Sequence, residues 1–329
     1  MYIDAFDAKW VPAVWSSASM GSGRSFLVSG GALASKVVAA LLQRGADAVE
    51  GFPSKLTASN AELVFVLEPQ SHDSLQATLK ATRAAPHEML QWLRSLPPQK
   101  ASILSVGAHG SMPDLQTLPA AAMWGAARSA RQELSSALRC IDVEPDVSLM
   151  DVPGCFAEEL IAHGDEARDV LVGKGRRAVR VLQSLQIPMQ APLQPLQMQL
   201  PSLFGITGGT GALGLMLAEW LAAGTKNLIL ASRSGKVPDD NKELWANLCR
   251  TDADVKLCQC DVGSDPAPLG EMLQGAEHLG VAHLAGILRD GLFQRQDESC
   301  LELTLKPKVD GAALLVDWLR QADSGTRLR

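Results

Sequence analysis

Two features of the sequence predict an α/β fold with a parallel sheet. Short apolar runs of strand length alternate with longer helix-patterned stretches through both halves of the chain. In the second half, three strand–helix pairs follow one another in order, and a crossover helix is what joins parallel neighbours.

In the first half, residues 25–29 form a short apolar run ending at Gly30 and Gly31, and residues 37–42 continue as a helix that stops near Gly45. Residues 63–67 and 102–106 are strands, too short and too closely flanked by turn residues to be helices. Helices are expected at 74–96 and 120–138. In the second of these, Met123, Trp124, Ala127, Ala130 and Leu134 share a face. Residues 139–143 return as a strand. Residues 184–202 read SLQIPMQAPLQPLQMQLPS, with Pro188, Pro192, Pro195 and Pro201 and neither charge nor glycine. Such a stretch predicts an extended linker, dividing a unit at 1–183 from one at 203–329. The second unit opens with a strand at 203–207 and a helix at 215–223 ending at Gly224. A strand at 227–231, a helix at 242–248 and a strand at 255–260 follow. A helix at 269–279, a strand at 281–285 and a helix at 300–319, broken locally at Pro307, complete the reading.

Composition narrows the functional classes. A chain of 329 residues is long enough for two domains, and 47% hydrophobic with 20% charged residues suits a buried core. A formal net charge of −6 gives no electrostatic reason to expect nucleic acid as a partner. Residues 1–7 lack the basic and apolar regions of a secretory signal. No apolar stretch approaches the roughly 18 residues of a membrane span, so a soluble, cytoplasmic protein is expected. The six cysteines form no Cys-x-x-Cys pair and the six histidines are dispersed, so no metal site is expected and the thiols read as small buried residues. Cys258 and Cys260 alternate with Leu257 and Gln259, as one face of a strand would. The sequence has one tyrosine, Tyr2.

The stretch carrying chemistry is TGGTGALG at 207–214, where a strand ends and a helix begins. In that context Gly208 permits the tight turn, Gly211 lets backbone approach a pyrophosphate, and Gly214 lets helix and strand pack closely. The helix N-terminus then attracts the phosphates. A dinucleotide site follows, in a Rossmann-like, doubly wound sheet. Thr207, Gly208, Gly209, Thr210, Gly211, Leu213 and Gly214 are its expected contacts. Cofactor choice is read at the end of the second strand, about 20 residues past the glycines, where an NAD site carries Asp or Glu. Here Ser232 and Arg233 stand instead, a hydroxyl and a guanidinium suited to the 2′-phosphate of NADPH. Asp261, with Val262 behind it, is placed to cap an adenine or to serve as a helix-capping aspartate.

The series TGGTGALG, ASRSG at 231–235, CDV at 260–262, HLAGILRDGLF at 283–293 and KPKVDGA at 306–312 resembles, in order, the ketoreductase domain of type I polyketide and animal fatty acid synthases. That family lies within the short-chain dehydrogenase/reductase superfamily. AKWVP at 8–12, WGAARSARQEL at 124–134 and CIDVE at 140–144 resemble the family's structural subdomain, a smaller, truncated Rossmann-like unit that precedes the catalytic one. Its first strand–helix turn, residues 29–35, lacks the later glycines and is not expected to bind a cofactor.

The resemblance implies NADPH-dependent reduction of a β-ketoacyl thioester carried by an acyl carrier protein, beside other synthase domains. It adds Ala285 and Gly286 to the cofactor contacts. It implies a catalytic lysine at Lys308, with Lys306 as the alternative, and aligns Asp290 with the last position of a Leu-Asp-Asp stereochemical fingerprint whose middle position is Arg289 here. The family's serine, tyrosine and asparagine follow the segment that ends near Leu319, and residues 321–328 resemble none of those motifs. The chain is therefore expected to be a C-terminally truncated fragment, inactive alone or completed by another chain. The other expectation is a non-catalytic NADPH-binding or scaffolding module.

Overall fold

The computed structural model of the chain describes residues 2–13, 23–52, 61–69, 71, 73–95, 100–109, 115–134, 138–162, 168–188, 200–276 and 278–323. The chain divides into two compact units, Met1–Gln190 with Gly291–Glu298, and Ala191–Asp290 with Ser299–Arg329.

The first unit contains, in chain order, β1 (Tyr2–Ala13), β2 (Ser25–Gly30), α1 (Ala32–Gln43), β3 (Asp47–Glu50), β4 (Glu62–Val66) and α2 (Leu75–Arg94). Then come β5 (Ala101–Val106), α3 (Leu118–Glu133), β6 (Leu138–Val143), α4 (Val152–Ala162), β7 (Asp169–Gly173) and β8 (Arg176–Pro188). They build one sheet of order β1-β8-β7-β6-β5-β4-β2-β3, parallel from β7 to β3. The parallel strands β4, β6 and β7 are buried along their whole length, as strands covered on both faces must be. In α1, Leu33, Val37 and Leu41 fall at steps of four and line the face turned to the core. Ser74 caps α2 by accepting a hydrogen bond from the Ala77 N–H at 3.2 Å.

Several boundaries differ from the sequence expectation, for identifiable reasons. Residues 184–188, expected in the linker, extend β8, which pairs antiparallel with β1 from Ala13↔Arg177 to Tyr2↔Pro188. Pro12 and Pro188 are tolerated because they lie close to the ends of the paired stretch. The rest of the expected linker, 189–199, lies outside the described residues. α3 stops at Glu133, since Leu134 is extended (φ −82°, ψ 136°) and Leu138 opens β6. β1, β3, α4, β7 and β8 were not among the expected elements. α4 is fixed by Glu159, which is fully buried and accepts from Arg139 on β6 at 2.7 Å and Arg177 on β8 at 2.8 Å. Such a buried carboxylate is tolerable because two guanidinium groups meet it.

The second unit contains β9 (Leu203–Thr207), α5 (Ala212–Leu221), β10 (Asn227–Ser232), α6 (Lys242–Leu248) and β11 (Asp254–Gln259). It continues with α7 (Ala267–Leu273), β12 (Leu279–His283), α8 (Glu298–Leu305) and α9 (Gly311–Asp323), the last two joined by a π-helical turn at Lys306–Asp310. The break expected at Pro307 is this turn. The sheet order is β11-β10-β9-β12, all parallel. The first strand of the unit thus lies inside, with the second on one side and the fourth on the other. The reversal of order between β9 and β12 is where open α/β sheets bind ligands. α7 ends earlier than expected because Gln274 is extended and Gly275 takes φ +80°, and β12 correspondingly begins and ends two residues earlier. The two edges of this sheet differ. β11 presents the exposed Asp254 and Gln259, whereas β12 reads Leu-Gly-Val-Ala-His and is half-buried throughout.

The approach of α5 to β9 depends on missing β-carbons. Gly208 has φ +65°, and a β-carbon there would lie 2.7 Å from the Leu284 carbonyl oxygen. At Gly209 it would meet the Ile206 carbonyl oxygen at 2.7 Å, and at Gly214 the Gly208 carbonyl oxygen at 2.5 Å. Gly211 differs, its nearest neighbour being the Gly208 oxygen at 3.3 Å. Gly214→Ala is therefore expected to destabilise the second unit by about 1–3 kcal/mol through overpacking. Gly211→Ala, with room for the added carbon, should cost less, about 0.5–1 kcal/mol for a poorer helix cap. Urea unfolding of the two variants reads the difference, and equal losses would refute the packing argument.

Thiol reactivity reads the same packing. Cys140, Cys258 and Cys260 are buried, whereas Cys249 is exposed and Cys155 and Cys300 are half-buried, so the expectation of six buried thiols holds for three. Burial pushes the Cys140 thiol up to about 12, against the neighbouring Arg131. At pH 8 it is therefore a thiol, and the thiolate is the reactive form. A disulfide reagent at pH 8 should modify Cys249 at once and Cys140 only on unfolding. Rapid labelling of Cys140 in the folded chain would contradict the burial.

Candidate functional site

The glycine turn of the second unit leads directly into α5, whose first residue follows Gly211 (φ −76°, ψ 163°). Gly211 has no side chain, and no side-chain hydrogen bond caps the helix. The first helical acceptor is the Gly211 carbonyl, which takes the Leu215 N–H at 2.9 Å. The N–H groups of the opening turn thus face outward with the positive end of the helix behind them.

The corresponding turn of the first unit makes a useful contrast. There α1 also begins after a glycine, Gly31, but the Glu68 carboxylate from beyond β4 accepts the Ala32 N–H at 3.1 Å. A β-carbon at Gly31 would overlap that carboxylate. The chain's own anion therefore occupies the place at α1 that an external phosphate would take. Among the described residues, no side chain does so at α5. The first turn is filled from within, whereas the second is left open.

The predicted residues divide by position. Thr207 and Thr210 are buried, and Asn241 donates to the Thr210 carbonyl at 3.0 Å, tying the turn before α6 to the glycine turn. Leu213, expected as a contact, is 72% exposed in the first turn of α5. Val262 is buried in the apolar cluster with Leu269, Leu273 and Leu315, leaving its backbone available. At the end of β10, the Ser232 hydroxyl is buried without a hydrogen-bond partner among the described residues. Arg233 beside it is exposed, in a turn closed by the Gly235 N–H donating to the Ser232 carbonyl at 3.1 Å. Asp261, just past β11, is exposed. Its carboxylate accepts from the Ser264 hydroxyl at 3.1 Å, and its carbonyl accepts from the Ser264 and Asp265 N–H groups. The aspartate thus closes a local turn at the C-terminal end of the sheet, and the helix that follows is capped by Pro266 instead.

Beyond β12, the chain passes Leu284, Ala285 and Gly286. The Lys308 Cε lies 3.2 Å from where a β-carbon at Gly286 would stand, so the missing side chain makes room for the lysine stem. Lys306 is placed otherwise, its carbonyl against Gly263. Asp290 ends its stretch of the second unit. Three residues on, Phe293 belongs to the first unit, donating its N–H to Glu133 at 2.8 Å and accepting from Arg94 at 3.1 Å. Sequence reasoning missed Asn241 and His283, which touch the glycine turn. Neither lies within the glycine motif, and only the sheet order brings His283 opposite Thr207. Among the described residues, no cluster of His, Cys, Asp or Glu could hold a metal ion, and no helix is long and apolar enough to cross a membrane.

Residues 203–326 match the KR domain family model. The chain is 31% identical over 287 residues to chalcone synthase cfoA of Aspergillus candidus, covering 81% of this chain and 10% of that protein. It is 40% identical over 111 residues to erythronolide synthase EryA2 of Saccharopolyspora erythraea, covering 32% of this chain and 3% of that protein. The chain thus spans about a tenth or less of the length of these two curated relatives. Among solved structures, an A-type ketoreductase from a modular polyketide synthase superposes with TM-score 0.73 at 17% identity, over 98% of this chain and 72% of that one. The first-module ketoreductase of phoslactomycin biosynthesis in Streptomyces sp. HK803 gives 0.70 at 19%, over 95% and 69%. Domains of this short-chain dehydrogenase/reductase type bind NAD(P)H. The Rossmann-like architecture of the chain is that of the solved ketoreductases, and its residues 203–326 are a KR domain of the polyketide synthase kind.

Proposed function

We propose that the second unit is the cofactor-binding half of an NADPH-dependent β-ketoacyl thioester reductase acting on an acyl carrier protein within a synthase. The observation that carries this reading is the uncapped α5 N-terminus at the reversal of sheet order, with Ser232 and Arg233 at the end of the neighbouring strand. In this reading the N–H groups of Thr210, Leu213 and Gly214 hold the pyrophosphate, with the Gly211 N–H kept in the turn by the Gly208 carbonyl at 3.0 Å and with Gly208 and Gly209 letting the backbone turn close beneath the ligand. Arg233 and the Ser232 hydroxyl hold the ribose 2′-phosphate. Asp261 and the Val262 backbone border the adenine, and Ala285 and Gly286 border the second ribose. NADPH, when bound, supplies the hydride for the β-carbon.

Lys308 rather than Lys306 is the catalytic lysine of this proposal, because its stem crosses Gly286 at the end of β12. Its ammonium lowers the cost of forming a phenolate nearby, and so eases proton delivery to the alkoxide. The one tyrosine of the 329 residues is Tyr2, in β1 of the first unit. In this proposal the phenol comes from polypeptide other than these residues, in the same synthase or in a second chain. The boundary proposed between the units remains the 184–202 segment, moved past Pro188 by the length of β8.

NADPH is expected to bind more tightly than NADH. Arg233→Ala should weaken NADPH by about 1.5–3 kcal/mol, the worth of a hydrogen bond to a charged group, and leave NADH nearly unchanged. Titration calorimetry measures all four affinities, and equal affinities in the unaltered chain would refute the assignment. Reduction is followed by NADPH absorbance with a small β-ketoacyl thioester. The 329 residues alone should show no turnover above background, and a C-terminal ketoreductase segment added in cis should restore it. In the restored enzyme, Lys308→Ala should lower kcat with little change in NADPH affinity. NADPH binding without turnover in the extended protein as well would favour the binding-module reading, which the single tyrosine supports.

A further inference from the structure

His283, the last residue of β12, pairs in register with Thr207, the last residue of β9. Three hydrogen bonds join the two strand ends. The Leu284 N–H donates to the Thr207 carbonyl at 3.0 Å, and the Ala285 N–H reaches the Thr207 hydroxyl oxygen at 3.4 Å. The third is between that hydroxyl and the His283 Nδ1, at 2.7 Å. Thr207 is 1% exposed, so its hydroxyl has no access to solvent.

A hydroxyl has one proton to give and two lone pairs to offer. The Ala285 N–H can only donate, so it takes a lone pair of the Thr207 oxygen. Among the described residues Nδ1 is the acceptor within reach of the hydroxyl proton, so we direct that proton there, which leaves Nδ1 bare and the ring proton on Nε2. Nε2 is buried with no hydrogen-bond partner among the described residues, so Nδ1 makes the ring's one specific polar contact there. The ring is also walled in, since a β-carbon at Gly311 would lie 3.1 Å from both its Cε1 and the Val262 Cγ1.

We infer that His283 is a positioning residue for the dinucleotide site. By accepting the Thr207 proton it lets one buried hydroxyl hold the Ala285 N–H, and so sets the backbone at Ala285 and Gly286 against the Gly208 turn. The spacing there is tight, because a β-carbon at Gly208 would lie 2.7 Å from the Leu284 oxygen and 2.9 Å from the Ala285 nitrogen. A strand end free to shift would move both the floor of the glycine turn and the border of the second ribose. This role rests on the second unit binding a dinucleotide, as proposed above.

Replacing His283 with leucine leaves the Thr207 proton without an acceptor and should weaken NADPH binding about tenfold. Asparagine offers an oxygen at the same distance from the backbone as Nδ1, so His283→Asn should restore affinity to within about threefold. Thr207→Val should weaken binding as His283→Leu does, and the double variant should be no weaker than either alone, the signature of one shared interaction. Nitrogen-15 spectra of the imidazole in the 329-residue chain, without ligand, should show a protonated Nε2 and a bare Nδ1, and Thr207→Val should abolish that preference. Unchanged NADPH affinity in a folded His283→Leu chain would overturn the inference, as would a protonated Nδ1 in the unaltered chain. If leucine prevents folding, asparagine with wild-type affinity and the bare Nδ1 signal together support it, and asparagine as weak as Thr207→Val overturns it. Absence of NADPH binding by the unaltered chain, with the expected ring signals present, overturns the proposed function and leaves the Thr207–His283 pair standing.

Discussion

Helix α5 lies so close to the ends of β9 and β12 that backbone atoms occupy the space of three side chains. At Gly208, Gly209 and Gly214 a β-carbon would come within 2.7 Å or less of a carbonyl oxygen. This packing requirement sets the rest of the second unit. It aims the N-terminus of α5 at the reversal of sheet order, brings β10 and its Ser232–Arg233 end alongside, and closes β12 over the turn. The anion site proposed above would be a by-product of that geometry, because a helix brought in without a capping side chain leaves its first N–H groups to an external acceptor.

The first unit shows what happens when the same arrangement is completed from within. Its sheet also reverses order, between β2 and β4, and its α1 also starts after a glycine. Glu68 then supplies the negative charge that α1 attracts. A carboxylate held there by the chain needs no ligand and loses no entropy of association. The unit's structural investment lies elsewhere, in the long β1–β8 pairing and the Arg139–Glu159–Arg177 group. It also holds the 291–298 segment through Phe293, gripped on its backbone by Glu133 and Arg94.

Much of the site was legible in the sequence because its demands are local. The glycines at 208, 211 and 214 report a turn whose geometry excludes side chains. Arg233 is legible because the second strand has a fixed length and delivers its last residues to the same place in every sheet of this order. The exposure of Leu213 was not legible, since the motif concerns its backbone and says nothing of where its side chain goes. The local turn at Asp261 was hidden for a related reason. A carboxylate at a strand end can serve a ligand or a neighbouring hydroxyl, and spacing does not separate the two.

The sequence alone determined the alternation of strands and helices, the glycine turn, the cysteine alternation on β11 and the family. The glycine turn and the cysteine alternation are written within a few residues, and the alternation of elements and the family in periodicity and motif order along the chain. Tertiary structure decided what depends on residues far apart. β1 exists because β8 pairs with it across the whole unit, which also carried the strand into the expected linker. Glu68 meets α1, and Lys308 rather than Lys306 crosses Gly286, through packing that no local pattern records. His283 became visible only when β12 was set beside β9, because a hydrogen bond between residues 76 positions apart is a property of register. Local chemistry is read along the chain, whereas the partner of a buried polar group is chosen by the fold.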